Sequence, residues 1–461
     1  MRSWTSPDVP TLPVLPESLQ LHDTSAGTLV PVQSHDGVGS LYVCGITPYD
    51  ATHLGHANTY VQFDLLVRYW RAAGLQINYV QNVTDIDDPL LERATATGVD
   101  WFELAQQQTE LFREDMAALG VIAPDSYLGA VETIPVVAAD VARLVERGMG
   151  YPVPLPAEEL AEGVAPGSAE SFDIYFDISA AEADTPWTLG SIGNYDRAEM
   201  EALFPERGGD PQRPGKRDPL DPLLWRARRN GEPFWDGGSL GQGRPGWHIE
   251  CSVIARGHLP APFMVQGGGS DLRFPHHEFS AAHATAADGV ALAETYLHTG
   301  MVGLDGEKMS KSKGNLVLSS RMRAEGVDPQ VIRTLLLSHH YRADWSYTPA
   351  QLEAAAQRWD RWNLALASAP ETDEYGELGS AEAVPEDLQY ALHSALSQNL
   401  NAPAALDQLD MWATGQLAAG TSRERVIAVV KALLGIELLP TRPAAADTKA
   451  SVSVSAAESV S

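Results

Sequence analysis

Residues 41–56, LYVCGITPYDATHLGH, constrain the fold more than any other stretch of the chain. Leu41, Tyr42, Val43 and Cys44 make a short apolar run of the kind a buried parallel strand carries. Gly45, Thr47, Pro48 and Asp50 are turn formers, and His53 and His56 open a long helical pattern. A strand that breaks into a glycine-containing loop and then feeds a helix sets backbone N–H groups and the helix dipole around an anion. Two histidines one helical turn apart add ring nitrogens to the same spot, and Cys44 adds a thiol. The stretch therefore reads as a phosphate site, a metal site or both.

The surrounding pattern is strand, helix, strand, helix over residues 41–120. A helix spans roughly 54–73, and an apolar run at 77–80 leads into Asn82-Val83-Thr84-Asp85-Ile86-Asp87-Asp88. A second amphipathic helix covers about 101–119. Such alternation predicts a parallel sheet with right-handed crossovers. Residues 1–40, rich in Pro, Ser, Asp and Gly, are expected to form an extended arm. The pattern loosens over 121–224, with a helix at 131–148 and a strand at 173–176, as in an insertion between two halves of a sheet. Residues 225–325 supply the second half: Gly246-Trp247-His248-Ile249-Glu250-Cys251, a strand at 263–266, the glycine run 267–269, and a helix from near Pro275. Residues 326–438 read as a helical domain with helices at 329–338, 349–368, 385–394, 403–416 and 421–436. Residues 439–461 are an Ala/Ser/Val-rich tail expected to be disordered. The fold class is α/β, a Rossmann-like parallel-sheet catalytic domain with an insertion, followed by an α-helical C-terminal domain.

Composition excludes some functions. No apolar run approaches the ~20 residues that span a bilayer, and the N-terminus lacks the basic and apolar segments of a signal peptide; a cytoplasmic monomer is expected. The net charge of −29 argues against nucleic acid as a partner, since such binding draws on Lys and Arg. Residues 351–461 carry 7 basic and 15 acidic side chains, so no basic stripe sits there. The chain has two cysteines, Cys44 and Cys251. A lone disulfide is unusual in a cytosolic protein, and both thiols lie near turn glycines and histidines, which favours metal binding over two unrelated buried residues.

His53-Leu54-Gly55-His56 and, more than 250 residues later, Lys308-Met309-Ser310-Lys311-Ser312 resemble the two ATP-binding signatures of class I aminoacyl-tRNA synthetases. Alone, the lysine loop would be an ordinary solvated charge cluster; the two patterns in this order reverse that reading. The resemblance implies that His53 and His56 contact ATP phosphates and that Lys308 and Lys311 serve the pyrophosphate. Residues 42–50, 82–88, 243–251 and 267–277 resemble the cysteine-activating branch. That resemblance implies one zinc ion per chain held by Cys44, Cys251 and His276, with ATP, carried with Mg²⁺, as a substrate. It places cysteine and adenylate contacts on Cys44, Gly45, Ile46, Thr47, Thr59, Asn82, Val83, Thr84, Trp247, Gly269, Ser270, Asp271 and Val302. Ser280 stands where cysteinyl-tRNA synthetases generally carry a glutamate ligand; His283 is an alternative fourth ligand, and His277 and Glu278 are either supporting or structural.

Met1-Arg2-Ser3-Trp4 and Glu206-Arg207-Gly208-Gly209-Asp210-Pro211 further resemble a synthetase-derived family, the actinobacterial cysteine ligases of mycothiol biosynthesis. That family joins L-cysteine to the amine of glucosaminyl-inositol. The acidic C-terminal part and the short stretch after the lysine loop fit a small acceptor better than tRNA. A cysteinyl-tRNA synthetase and a non-catalytic zinc- and nucleotide-binding regulator are the alternatives. Asp85, Asp87, Glu206 and Asp210 are candidates for the base that frees the sugar amine.

Overall fold

The computed structural model describes residues 1–440 apart from 17, 50–51, 310–314, 372–386 and 418–421. The disordered-tail expectation for 441–461 and the second loop lysine, Lys311, lie outside the described residues.

The chain begins with a segment pinned by Trp4, whose Nε1 donates to Val121 O at 2.8 Å and whose ring packs edge-on against Phe112 and Tyr127. A hairpin follows, β1 (Gln20–Asp23) and β2 (Thr28–Pro31). The expected extended arm thus contains paired strands, and β3 (Val38–Val43) already starts inside it. The segment α1 (Leu54–Ala72), β4 (Gln76–Val83), α2 (Asp88–Thr97), α3 (Trp101–Ala118) and β5 (Ser126–Gly129) completes the first half. The sequence reading missed α2; Asp87 caps it and a proline sits in its first turn, a start signal masked by the acidic run before it.

After α4 (Ala130–Glu146) come β6 (Gly150–Pro154), β7 (Phe172–Phe176), α5 (Ile178–Asp184), α6 (Arg197–Glu206), β8 (Leu223–Ala227), β9 (Trp235–Asp236) and β10 (Gln242–Pro245). The five strands form an antiparallel sheet in the order β6-β7-β8-β10-β9. The expected boundary at 224/225 falls inside β8, and this sheet runs on to Pro245. Short strands split by long loops hid the sheet from a periodicity reading. Next come α7 (Trp247–His258), β11 (Phe263–Gly269), α8 (Glu278–Asp288), β12 (Ala293–Thr299), β13 (Val302–Leu304) and β14 (Glu307–Lys308). The stretch around Cys251 is therefore helical, a start that Gly246 disguises because it offers no capping side chain.

The central sheet has the order β12-β11-β3-β4-β5, with every neighbouring pair parallel. From β3 the chain first builds outward through β4 and β5 and later returns to the other side of β3 with β11. Such a reversal opens a crevice beyond the strands' carboxyl ends, where open α/β sheets bind ligands. Phe63 of α1 lies so close to β11 that a Cβ on Gly267 would stand 2.2 Å from its ring, which explains a glycine there.

The remaining elements are α9 (Ser319–Ala324), α10 (Pro329–Leu337), β15 (Trp345–Tyr347), α11 (Pro349–Ala367), α12 (Leu388–Ser397), α13 (Ala402–Ala413) and α14 (Arg423–Leu434). Helix α1 is buried along nearly its whole length between the sheet and these helices. Its Asp64 accepts Arg68 Nε at 2.6 Å, the Arg333 guanidinium, and Ile122 N at 2.8 Å. Arg68 also caps Lys431 O (2.6 Å) and Gly120 O (2.7 Å), while Arg333 caps Leu434 O (2.7 Å) and Leu119 O (2.9 Å). Burial alone would raise the Asp64 carboxyl; Arg68 and Arg333 more than reverse this and hold it below the usual range. Burial brings Arg333 down to about 10, still charged at neutral pH.

Removing one member of a buried ion network leaves the other charges unpaired, a cost of about 3–5 kcal/mol. Asp64→Asn is expected to lose stability of that order in denaturant unfolding. Because the folded carboxyl titrates below its unfolded value near 4, its contribution is full above that pH and fades as pH falls through the folded value. The variant should lack that part of the acid limb.

Candidate active site and metal centre

The crevice at the β3/β11 switch point brings together residues from five separate stretches. Cys44 follows β3, its N–H donating to Gly267 O of β11 at 3.0 Å. Tyr60 OH bonds Cys44 O at 3.0 Å from α1. Next door, Asn82 at the end of β4 is a hub. Its Oδ1 accepts Gly45 N (2.8 Å) and Tyr42 OH (2.9 Å), and its Nδ2 donates to Thr84 Oγ1 at 3.2 Å. Thr84 N returns a bond to Ile46 O at 3.0 Å. Gly45 is obligatory here, since a Cβ would fall 1.6 Å from Asn82 O.

At the start of α1, His53 is the N-cap, its ring accepting Gly55 N at 3.1 Å. The His53 and His56 rings stack 3.8 Å apart. A Cβ on Gly55 would crowd the His53 ring at 2.8 Å. The histidine pair, Thr59 and Gly55 form one half-exposed line along the helix, and Thr59 Oγ1 pairs with Thr299 Oγ1 at 2.9 Å across to β12. The segment after the lysine loop docks on this same helix start. Leu54 N donates to Val317 O and Ser319 N to Thr52 O, with a bridge between His53 and Leu318. Residues 317–319, a short way past the lysine loop, are thus tied to the helix start that carries His53. Lys308 lies on β14, which pairs with β13 beside Val302.

The two sulfurs face each other between β3 and α7. Cys44 Sγ and Cys251 Sγ are 3.8 Å apart, and His276 Nε2 is 3.1 Å from Cys251 Sγ. These three ligand atoms all lie within 4.8 Å of one another, and all three residues are buried. Two sulfurs each ~2.3 Å from one tetrahedral ion would stand about 3.8 Å apart, so the donor set and its spacing fit zinc. Burial pushes the Cys44 thiol up. Burial also opposes a Cys251 thiolate, but the Cys44 hydrogen bond and the His276 ring overcome it and hold that thiol well below its usual value. Trp247 stacks on His276 with centroids 4.3 Å apart and stays half-buried. Gly269, Ser270 and Asp271 follow at the carboxyl end of β11, on a short helical turn.

One supporting residue, His248, carries no role in the sequence analysis, while His277, Glu278, Ser280 and His283 were candidates there. His248 Nδ1 lies 3.1 Å from His276 Nδ1, fixing that ring's orientation. His277 turns the opposite way, with Nε2 3.1 Å from Cys44 Sγ. The adjacent histidine pair was the available signal, but the irregular turn at Arg273–His277, which sends the two rings apart, is not visible in the sequence. Glu278 accepts Trp187 Nε1 (2.9 Å), Ile192 N (3.1 Å) and Gly193 N (2.7 Å), so it clamps the antiparallel unit against α8. Burial raises its carboxyl to about 7. Ser280 bonds Gln266 Nε2 and His277 O, each at 3.3 Å. His283 stands outside the three-residue group and packs edge-on against Phe176, 4.7 Å away.

The four candidate bases separate. Asp210 is engaged by Tyr175 OH and by Lys216 Nζ at 2.9 Å, and Glu206 is exposed at the end of α6. Asp85 accepts Val131 N at 2.9 Å, and Asp87 caps α2. Burial lifts both Asp85 and Asp87 to about 6. Arg207, from the Glu206–Pro211 stretch, donates to Asp271 O at 2.8 Å and to Phe274 O, tying that stretch to the site's rim.

Parallel sheet, switch-point crevice and paired histidines at a helix start define a class I synthetase-type nucleotide-binding fold. Solved structures agree: methionyl-tRNA synthetase of Mycobacterium tuberculosis in complex with methionyl-adenylate matches with TM-score 0.57 and 16% identity over 86% of this chain and 89% of that one. Leucyl-tRNA synthetase of Agrobacterium radiobacter, in a ternary complex with tRNA, matches with TM-score 0.57 and 13% identity over 88% and 84%. Residues 30–357 match the family model of the class I (C) tRNA synthetase catalytic domain. A protein of Micrococcus luteus named L-cysteine:1D-myo-inositol 2-amino-2-deoxy-alpha-D-glucopyranoside ligase is 58% identical over 442 residues, 95% of this chain and 100% of that protein. Ligases of the same name from Kocuria rhizophila and Paenarthrobacter aurescens are 55% and 53% identical, over 92% and 95% of this chain and 94% and 100% of theirs. The chain belongs to the class I (C) synthetase family, in the branch of these cysteine ligases.

Gly45→Ala forces β3 and β4 apart at the Asn82 carbonyl. It is expected to abolish adenylate formation while leaving far-UV circular dichroism unchanged; a variant of wild-type activity would contradict the close approach.

Proposed function

We propose that this chain is an ATP-dependent ligase. It activates L-cysteine as cysteinyl-adenylate and transfers it to the amine of 1D-myo-inositol 2-amino-2-deoxy-α-D-glucopyranoside, releasing AMP and pyrophosphate. The observation that carries this reading is the near-full-length identity of 58% to a ligase of that name. The site geometry is compatible with it, because a thiol-binding cluster lies within one loop of a phosphate-binding helix start.

In the first half-reaction a cysteine carboxylate oxygen attacks the α-phosphorus of ATP, carried with Mg²⁺, and the bond to the pyrophosphate oxygen breaks. His53 and His56 are proposed as donors to the phosphate oxygens as charge builds, with Lys308 and Lys311 on the pyrophosphate side. Asn82 holds the Gly45–Thr47 backbone, and Thr59, Val83, Ser270 and Val302 complete the proposed adenylate contacts. Cys44, Cys251 and His276 would hold one zinc ion, which supplies a soft partner for the substrate thiol and so selection against serine. Trp247 covers His276 and walls the pocket.

In the second half-reaction the sugar nitrogen attacks the carbonyl carbon of the mixed anhydride. AMP leaves, and the nitrogen gives up a proton to become an amide. Asp87 is the favoured acceptor of that proton: its carboxyl near 6 is largely ionised at neutral pH, as a general base requires. The acidic surface suits a small cationic acceptor better than tRNA.

Incubation with ATP and cysteine should release AMP when glucosaminyl-inositol is added and not when tRNA is added; the reverse outcome would make the chain a tRNA synthetase. His56→Asn should lower kcat about 10²–10³-fold with little change in KM for cysteine, the loss typical of one transition-state donor. Cys251→Ser should lose stoichiometric zinc, measured by atomic absorption, together with cysteine-dependent pyrophosphate exchange; retention of both would sink the ligand assignment.

A further inference from the structure

The hairpin β1–β2 reaches the back of the metal centre. Its tip docks along β12: Tyr296 N donates to Asp23 Oδ1 and Thr24 N to Tyr296 O, each at 2.9 Å. This places the buried Thr24 hydroxyl 2.7 Å from His298 Nδ1. His298 Nε2 lies 2.8 Å from His277 Nδ1, and His277 Nε2 lies 3.1 Å from Cys44 Sγ. All four side chains are buried. Gly268, which faces His298 in the β11–β12 register, keeps the space open, since its Cβ would stand 2.9 Å from His277 Cε1.

The chain of contacts has one consistent set of proton positions once Cys44 is a thiolate. A thiolate only accepts, so His277 Nε2 carries the hydrogen. A neutral imidazole has one N–H, so His277 Nδ1 must accept from His298 Nε2. His298 Nδ1 is then an acceptor in its turn, and the remaining donor is the Thr24 hydroxyl. Without that hydroxyl His298 is free to place its proton on Nδ1, and the sulfur at the far end loses its fixed donor.

We propose that Thr24 is a positioning residue for the metal-binding sulfur of Cys44, acting through His298 and His277. The inference rests on Cys44 being a zinc ligand. Groups that orient metal ligands typically carry a 10–100-fold effect on metal affinity. Thr24→Val removes the donor at constant shape, and Thr24→Ala removes it with less bulk. Both are expected to weaken zinc about tenfold in competition with a chelator and to alter the thiolate charge-transfer band of the Co²⁺-substituted protein. KM for cysteine should rise while KM for ATP holds. Thr24→Ser keeps the donor and should restore all three readings. Ser25→Ala disturbs the same turn, where Ser25 Oγ bonds Asp23 Oδ2 at 2.5 Å, without touching the histidines, and should bind zinc like the unmodified protein. Equal zinc affinity and an unchanged cobalt band in both Thr24→Val and Thr24→Ala would overturn the proposal. So would an equal loss in Ser25→Ala, which would reduce Thr24 to an ordinary docking contact. An unmodified chain that binds no zinc would remove the metal-site reading along with this one, whereas zinc loss in Cys251→Ser alongside wild-type zinc in Thr24→Val would remove this one alone.

Discussion

A single carboxylate deep in α1 holds the architecture in register. Asp64 meets two guanidinium groups, Arg68 from its own helix and Arg333 from α10, and those guanidiniums go on to cap carbonyls at the ends of α14 and α3. Three buried charges are tolerated because almost every donor and acceptor is used, in four segments at once. The same helix begins at His53 and His56 and presses Phe63 against Gly267. The helical C-terminal elements therefore set the axis of the helix whose first turn carries the two stacked histidines, and the glycine run of β11 sets how near that helix lies to the central sheet.

Electrostatics in the crevice are local and do not follow the chain's net charge of −29. Within it lie backbone N–H groups at a helix start, the His53 and His56 rings, and a Cys251 thiol that its neighbours hold well below its usual value. Around them stand carboxyls that burial has shifted toward neutrality, Asp85 and Asp87 near 6 and Glu278 near 7. An acidic protein can in this way gather donors at one helix start while Asp85 and Asp87 nearby stay largely ionised at neutral pH.

Much of this was legible from residue order. The strand–loop–helix at 41–56 is organised as its apolar run, turn formers and histidines imply, and Cys44, Cys251 and His276 do converge. The C-terminal helices α10 to α14 lie within a few residues of their periodic patterns. The losses have physical causes. Strands β6 to β10 are short, interrupted by long loops and paired antiparallel across about ninety residues of sequence, so no local period marks them. Helix α7 starts at a glycine with no cap side chain. His277 and His248 were ambiguous because side-chain direction through an irregular turn depends on tertiary packing, and Thr24 acquires its role only by docking on a strand 270 residues away.

The docking of the hairpin also carries a consequence for folding order. Its β1 strand bonds Asn399 and Gln398 near the far end of the chain, and its tip closes on β12. The first thirty residues thus bond partners near residues 121, 296 and 399, and contacts of such long range are slow to form. The sulfur site, drawn from residues 44, 251 and 276 with 24 and 298 behind it, likewise joins stretches more than 200 residues apart. A truncated or stalled chain would carry recognisable sheet and helices and yet no finished crevice, so catalytic competence reports on completion of the entire fold.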